Sequence, residues 1–229
     1  MPRVYISPST QEHNIGVPPF TNEESQMNKI VDELMPLLIS DGRHVIMRNM
    51  TSMTPSQAAA DSNEFKADIH IAIHSNAGGG VGTEAYAYGP GTNSERLTKA
   101  LYGQIAPLSP GADRGVKYKP ELTEVGDRVD ATSALIELGF HDNVTDATWL
   151  VNEKKEIAWA LYKGVCDFYG YEYIYTFVAK PIAPVTPVVK VTVPDPDIFL
   201  TVRCRISKAD QAIVDINKLG FAAKKLELA

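Results

Sequence analysis

The chain has 229 residues, 44% of them hydrophobic and 22% charged, a composition that excludes disordered and fibrous classes and allows one sizeable core. No apolar run reaches the roughly 20 residues that span a bilayer, and the opening MPRVYISPSTQEH has neither a basic stretch nor a following apolar one, so neither membrane insertion nor a signal peptide is expected. The net charge of −6 argues against a nucleic-acid partner, yet it is unevenly spread: −9 up to Tyr175 and +3 after it.

In chain order, Val4 to Ile6 reads as a first strand. Glu24 to Ile39 reads as an amphipathic helix with Met27, Ile30, Val31, Leu34, Leu37 and Leu38 on one side, bent by Pro36 and left at Asp41-Gly42. His44 to Met47 is the next strand and Pro55 to Phe65 the next helix. IHIAIH is a buried strand ending at His74, and Gly78, Gly79, Gly80 and Gly82 follow it. TEAYAYG gives a further strand, Leu97, Leu101 and Ile105 mark a helix, Ala134 to Ile136 is the last clear strand, and Glu153 to Tyr169 the closing helix. Strands alternating with helices predict an α/β domain with a largely parallel sheet over residues 1–175.

Pro181, Pro184, Pro187, Pro194 and Pro196 then mark residues 176–197 as an extended linker. Residues 198–229 read as a small strand-helix-strand, too short to bury a core alone, so it is expected to pair with another copy, with the preceding domain or with a ligand. Cys166 and Cys204 form no CxxC motif and read as free thiols.

In open α/β sheets ligands sit beyond the carboxyl ends of the strands. His13 follows the first strand by one loop, His74 ends IHIAIH, Glu137 ends ALIE, and Glu24 opens the first helix. Two imidazoles and a carboxylate with one position left for water make a catalytic zinc site, and a second carboxylate outside it could carry protons. Each residue also has a plainer reading. A histidine at a strand end is often a hydrogen-bonded scaffold residue, and Glu24 or Glu23 could simply stabilise a helix N-terminus. Glu137, set directly after three apolar strand residues, is harder to explain without a partner or a task. His70, four strand residues before His74, is about 13 Å back along the strand, too far for the same edge. The glycines match neither GxxxxGK[ST] nor GxGxxG and are expected to leave open backbone beside a groove.

EESQMNKI, ADIHIAIHSNAGG, GTEAYAYG, RGVK at Arg114 to Lys117 and ALIELGFHDN together resemble the zinc-dependent N-acetylmuramoyl-L-alanine amidases of the amidase-3 family, over roughly Val4 to Tyr171. The resemblance implies a mixed sheet of about six strands with helices on both faces, Zn²⁺ as cofactor and peptidoglycan as substrate. It implies Glu137 as the catalytic residue, and His74, Glu24 (through Asn28 four residues on, with Glu23 as the fallback) and His13 as metal ligands. Asn76, Gly139, His141 and Asn143, in the same two segments as His74 and Glu137, are the expected substrate contacts. The first motif departs from the family, which has a histidine in a GHGG turn where this chain reads SPSTQEHNIG. His13 is the histidine available there.

The expected setting is a phage endolysin held in the host cytoplasm until release to the wall, with a sporulation or mother-cell lytic amidase and a stem-cutting zinc peptidase as alternatives. The basic tail is expected to favour anionic wall polymers.

Overall fold

The computed structural model describes residues 1–174. The linker and the strand-helix-strand expected over 176–229, and Cys204, lie outside the described residues. The elements are β1 (Arg3–Pro8), α1 (Glu23–Asp41), β2 (Val45–Arg48), α2 (Pro55–Phe65), β3 (Ile69–Asn76), β4 (Thr83–Ala87), α3 (Asn93–Ile105), β5 (Asp113–Tyr118), β6 (Thr132–Phe140), α4 (Val144–Asn152) and α5 (Lys154–Tyr169).

Local chemistry sets the helix ends. Asn22 caps α1, its side chain accepting from the Ser25 N–H at 2.8 Å, and Gly42, with φ of 69°, ends it in the left-handed conformation that glycine adopts without strain. α1 runs through Pro36 to Asp41. Thr54 and Gln57 form a reciprocal capping box on α2, and Thr92 caps α3.

The six strands lie in the order β2-β1-β3-β6-β4-β5. β2, β1, β3 and β6 are parallel, β4 runs antiparallel to β6, and β5 pairs parallel to β4, so the expected mixed and largely parallel sheet is what the chain forms. Alternation divides the strands between two faces. Val4 and Ile6, Ile69, Ile71 and Ile73, Ala85, and Ala134, Ile136 and Leu138 join the core under α1, α3 and α5. Gly164 lets α5 close on α3, since a Cβ there would lie 2.6 Å from Leu101 Cα. The opposite face is covered by α2, through Tyr5 against Phe65 and Asp61, and by the irregular stretch containing Leu122 and Val125. That second face carries Ser7, His70, His74, Glu84 and Glu137, by the alternation that places their neighbours in the core.

Four elements differ from the sequence expectations. β3 and β6 run past His74 and Glu137, placing these residues inside strands. RGVK forms β5 at the sheet edge, and α4 precedes α5 as a separate helix capped by Asn143. Cys166 is a buried free thiol. No helix among the described residues is long and apolar enough to cross a membrane.

All these elements precede residue 175. A chain ending there is expected to unfold within about 3 °C of the full chain by calorimetry, equivalent to roughly 1 kcal/mol. A much larger fall would mean that residues 176–229 hold the domain together.

Candidate active site

The strand register assembles the site. His74 on β3 pairs directly with Glu137 on β6, and Glu137 pairs in turn with Glu84 on β4, so three ionisable residues form a row across adjacent strands. Immediately beyond them the register slips between His74 and Asn76, a bulge of the kind that re-aims side chains beside functional sites. α1 begins at the same sheet edge and brings its first residue, Glu23, to the row.

Glu23 Oε1 lies 2.9 Å from His74 Nδ1, and Glu23 is 1% exposed. Its carboxylate also takes the Asn14 Nδ2 proton at 2.7 Å and the Ser75 N–H at 3.3 Å. Burial works against its ionisation, but the hydrogen bonds and charge of His74, with Asn14 and Ser9, hold its pKa below the ordinary carboxylate value. On the other side of the ring, His74 Nε2 stands 3.6 Å from Glu124 Oε2 and has no hydrogen-bond partner. Glu124 is itself buried, accepts from the Ser7 hydroxyl, and lies 3.1 Å from His70 Nε2. Despite burial, His70 and His74 bring the Glu124 carboxyl down to about 2. Burial disfavours a charged His74, and the surrounding Glu124, Glu23 and Glu137 overcome it, raising its pKa well above the usual imidazole value.

Glu137 is the opposite case. Burial first, and then the negative charge of Glu23 and Glu84, push its carboxyl up to about 7 against the pull of His74, and its Oε2 is buried without a partner. Glu84 supplies part of that pressure while remaining ionised. It takes hydrogen bonds from Asn76 at 2.9 Å, Tyr86 at 2.5 Å, Arg114 at 2.7 Å and Lys117, which bring it to about 2 despite burial. A carboxylate lowered from 4.5 to about 2 contributes stability above pH 4.5 and loses it as the pH falls through 2. Glu84→Gln is therefore expected to cost on the order of 3 kcal/mol at pH 7 and almost nothing near pH 2, read by urea unfolding at the two pH values. A gap independent of pH would show that packing, not charge, is what the variant loses.

The structure brings together His74, Glu137 and Glu23, and leaves two of the expected ligands elsewhere. The His13 side chain is 94% exposed and lies 3.5 Å from Glu12, because the loop after β1 turns it outward. Glu24, one residue along a helix from Glu23, is rotated about 100° away from His74. It lines a surface recess with His13, Thr10 and Pro55, while Asn28 donates to its backbone carbonyl at 2.8 Å. Of the expected substrate contacts, Asn76 holds Glu84. The others sit in the scaffold: Gly139 packs on Asp146, His141 is buried against Ser75 and Phe20, and Asn143 caps α4. Gly78 and Gly79 donate to Asp142 at 2.7 and 2.8 Å, so their backbone is held and not free.

Among the described residues, no three His, Cys, Asp or Glu side chains are placed to hold a metal together. Two lie together: Glu23 Oε1 and His74 Nδ1 are 2.9 Å apart among buried side chains, where the carboxylates Glu23, Glu124 and Glu137 outnumber the imidazoles His70 and His74. One imidazole, one carboxylate and uncompensated negative charge suit a zinc ion.

Glu84, Glu124 and Gln11, whose side-chain nitrogen is 3.4 Å from His74 Nδ1, were not among the expected residues. Period-two alternation in TEAYA could have placed Glu84 on the His74 face. Glu124 and Gln11 lie in irregular segments with no periodicity to find them by.

Residues 4–167 match the amidase-3 family, described as N-acetylmuramoyl-L-alanine amidase. The chain is 28% identical over 153 residues to the N-acetylmuramoyl-L-alanine amidase CwlM of Bacillus licheniformis, covering 64% of this chain and spanning 60% of that relative's length. The fold matches the catalytic domain of CwlV, an N-acetylmuramoyl-L-alanine amidase from Bacillus (Paenibacillus) polymyxa var. colistinus, with a TM-score of 0.68 at 18% identity over 75% of this chain and 100% of that one. An N-acetylmuramoyl-L-alanine amidase from Clostridium difficile 630 matches at 0.66 and 21% identity over 74% and 97%. With the family match spanning β1 to α5, and the resembling segments lying on α1, β3, β4, β5 and β6, the chain belongs to the amidase-3 family.

Proposed function

We propose that the chain hydrolyses the amide between N-acetylmuramic acid and L-alanine in peptidoglycan, with zinc as its metal. The observation that carries this reading is Glu137: a carboxyl pushed to about 7, with a buried, unpartnered Oε2, directly across from the histidine that meets Glu23. Family membership supports the choice of substrate.

Glu23 and His74 would hold the metal, which when bound supplies Lewis acidity to the scissile carbonyl and the attacking water. Glu137 does the proton work. A carboxylate near 7 is matched to neutral pH: ionised, it accepts the water proton at Oε2, and protonated, it delivers that proton to the departing L-alanine nitrogen. Glu124, on the far side of the ring from Glu23 and 3.6 Å from Nε2, sets a second negative charge beside the His74 imidazole. Glu84, tied down by Arg114 and Lys117, keeps negative charge beside Glu137 and so keeps its carboxyl basic.

Mass spectrometry of digested cell walls tests the reaction. The expected products are stem-free sugars and free peptides beginning at L-alanine. Stems shortened but still attached to sugar would identify a peptidase instead.

We further infer an endolysin, acting on the wall once the membrane is breached, with the +3 segment after Tyr175 turned to anionic wall polymers. Expressing cells are then expected to lyse only after the membrane is permeabilised. Lysis without permeabilisation would contradict this setting.

A further inference from the structure

In the loop where the family carries its first histidine, this chain's own histidine faces solvent and a different side chain faces the site. Gln11, exposed along the rest of the residue, is the one whose side chain reaches His74. Its side-chain nitrogen lies 3.4 Å from His74 Nδ1, the same atom that lies 2.9 Å from Glu23 Oε1. The loop is built to hold it there. The Gln11 N–H donates to Ser9 Oγ at 3.2 Å, the Ser9 N–H donates to the Ile73 carbonyl at 2.9 Å, and the Glu23 N–H donates to the Asn14 carbonyl at 2.9 Å, which ties both ends of the loop to β3 and α1. Asn14 Nδ2 bridges the two candidate ligands, donating to Gln11 Oε1 at 2.9 Å and to Glu23 Oε2 at 2.7 Å. The two ends of a carboxamide have nearly the same shape, so a half-turn gives up the bond from Asn14 and sets the carbonyl oxygen where the nitrogen now faces His74.

We propose that Gln11 is the third protein ligand of this chain's metal, through Oε1, in the place of the family's histidine. The proposal rests on the reading of Glu23 and His74 as zinc ligands. A neutral amide oxygen is a poorer zinc donor than imidazole, so this site binds zinc more weakly than the same site with a histidine at position 11.

Zinc affinity, measured by competition with a chromophoric chelator, tests this in the full chain and in Gln11→Leu, Gln11→His, His13→Ala, Glu23→Ala and His74→Ala. Gln11→Leu is expected to weaken zinc by about tenfold or more, taking the loss of an outer-shell partner as the lower bound. Gln11→His is expected to tighten it, and to shift the visible bands of the cobalt-loaded protein, because nitrogen replaces oxygen around the ion. A fold defect would not produce that shift. His13→Ala is expected to match the unaltered chain. If Gln11→Leu binds zinc as tightly as the unaltered chain while Glu23→Ala and His74→Ala lose it, Gln11 is not a ligand and the zinc reading stands without it. If the unaltered chain takes up no zinc, the zinc reading itself fails and this proposal with it.

Discussion

Glu137→Gln lowers wall hydrolysis by about 10² to 10⁴-fold, while zinc uptake and the fold survive. The expectation follows from position. Glu137 pairs with His74 across the strands, but its carboxyl is set apart by its raised pKa and its unpartnered Oε2, the state of a group that exchanges protons. Glutamine keeps the shape and removes that exchange. Stability supplies a second readout with a definite sign. A carboxyl raised from 4.5 to about 7 costs stability as the pH rises through that window, so metal-free Glu137→Gln is expected to be on the order of 3 kcal/mol more stable than the unaltered chain at pH 8, and equal to it below pH 4.5. Loss of zinc in the variant would make Glu137 a ligand. Full activity would remove it from the chemistry.

Glu23→Ala abolishes both metal binding and hydrolysis, and Glu24→Ala leaves both close to their original values. The two residues are adjacent, but only Glu23 is buried against His74, where its removal leaves the imidazole without its nearest anion. Breaking a buried charged pair by removing one partner costs about 3–5 kcal/mol, so the metal-free Glu23→Ala protein is also expected to unfold earlier, and activity must be read at a temperature where it remains folded. His74→Ala is expected to behave like Glu23→Ala. Equal losses from Glu23→Ala and Glu24→Ala would point to damage at the start of α1 and not to a lost ligand. Retention of zinc after Glu23→Ala would exclude Glu23 from the metal site.

The fold was legible because its signals are periodic. IHIAIH alternates so cleanly that Ile69, Ile71 and Ile73 go under the helices while His70 and His74 share the other face, and the spacing of Met27, Ile30, Val31 and Leu34 defines the buried side of α1. RGVK was recognised as a motif but not as a strand, because a short edge strand rich in charge carries little hydrophobic pattern.

The site was legible where it rests on strands and less so where it rests on loops. His74 and Glu137 could be placed side by side from two strand ends. Telling which of Glu23 and Glu24 meets His74 needed the rotation of α1, which the Asn28 spacing does not give. The loop after β1 was the hardest part. Histidine is the better zinc donor by chemistry, and His13 is the histidine that this loop offers. Yet the turn from Ser9 to Asn14 sends the imidazole to solvent and the amide to His74.

The most direct measurement is anomalous diffraction at the zinc absorption edge from crystals of the zinc-loaded chain. A single peak about 2.0–2.2 Å from both Glu23 Oε1 and His74 Nδ1, with Glu137 close by but outside bonding distance, is the predicted result. A peak beside His13 and Glu24, or none within reach of His74, would contradict the assignment of the active site.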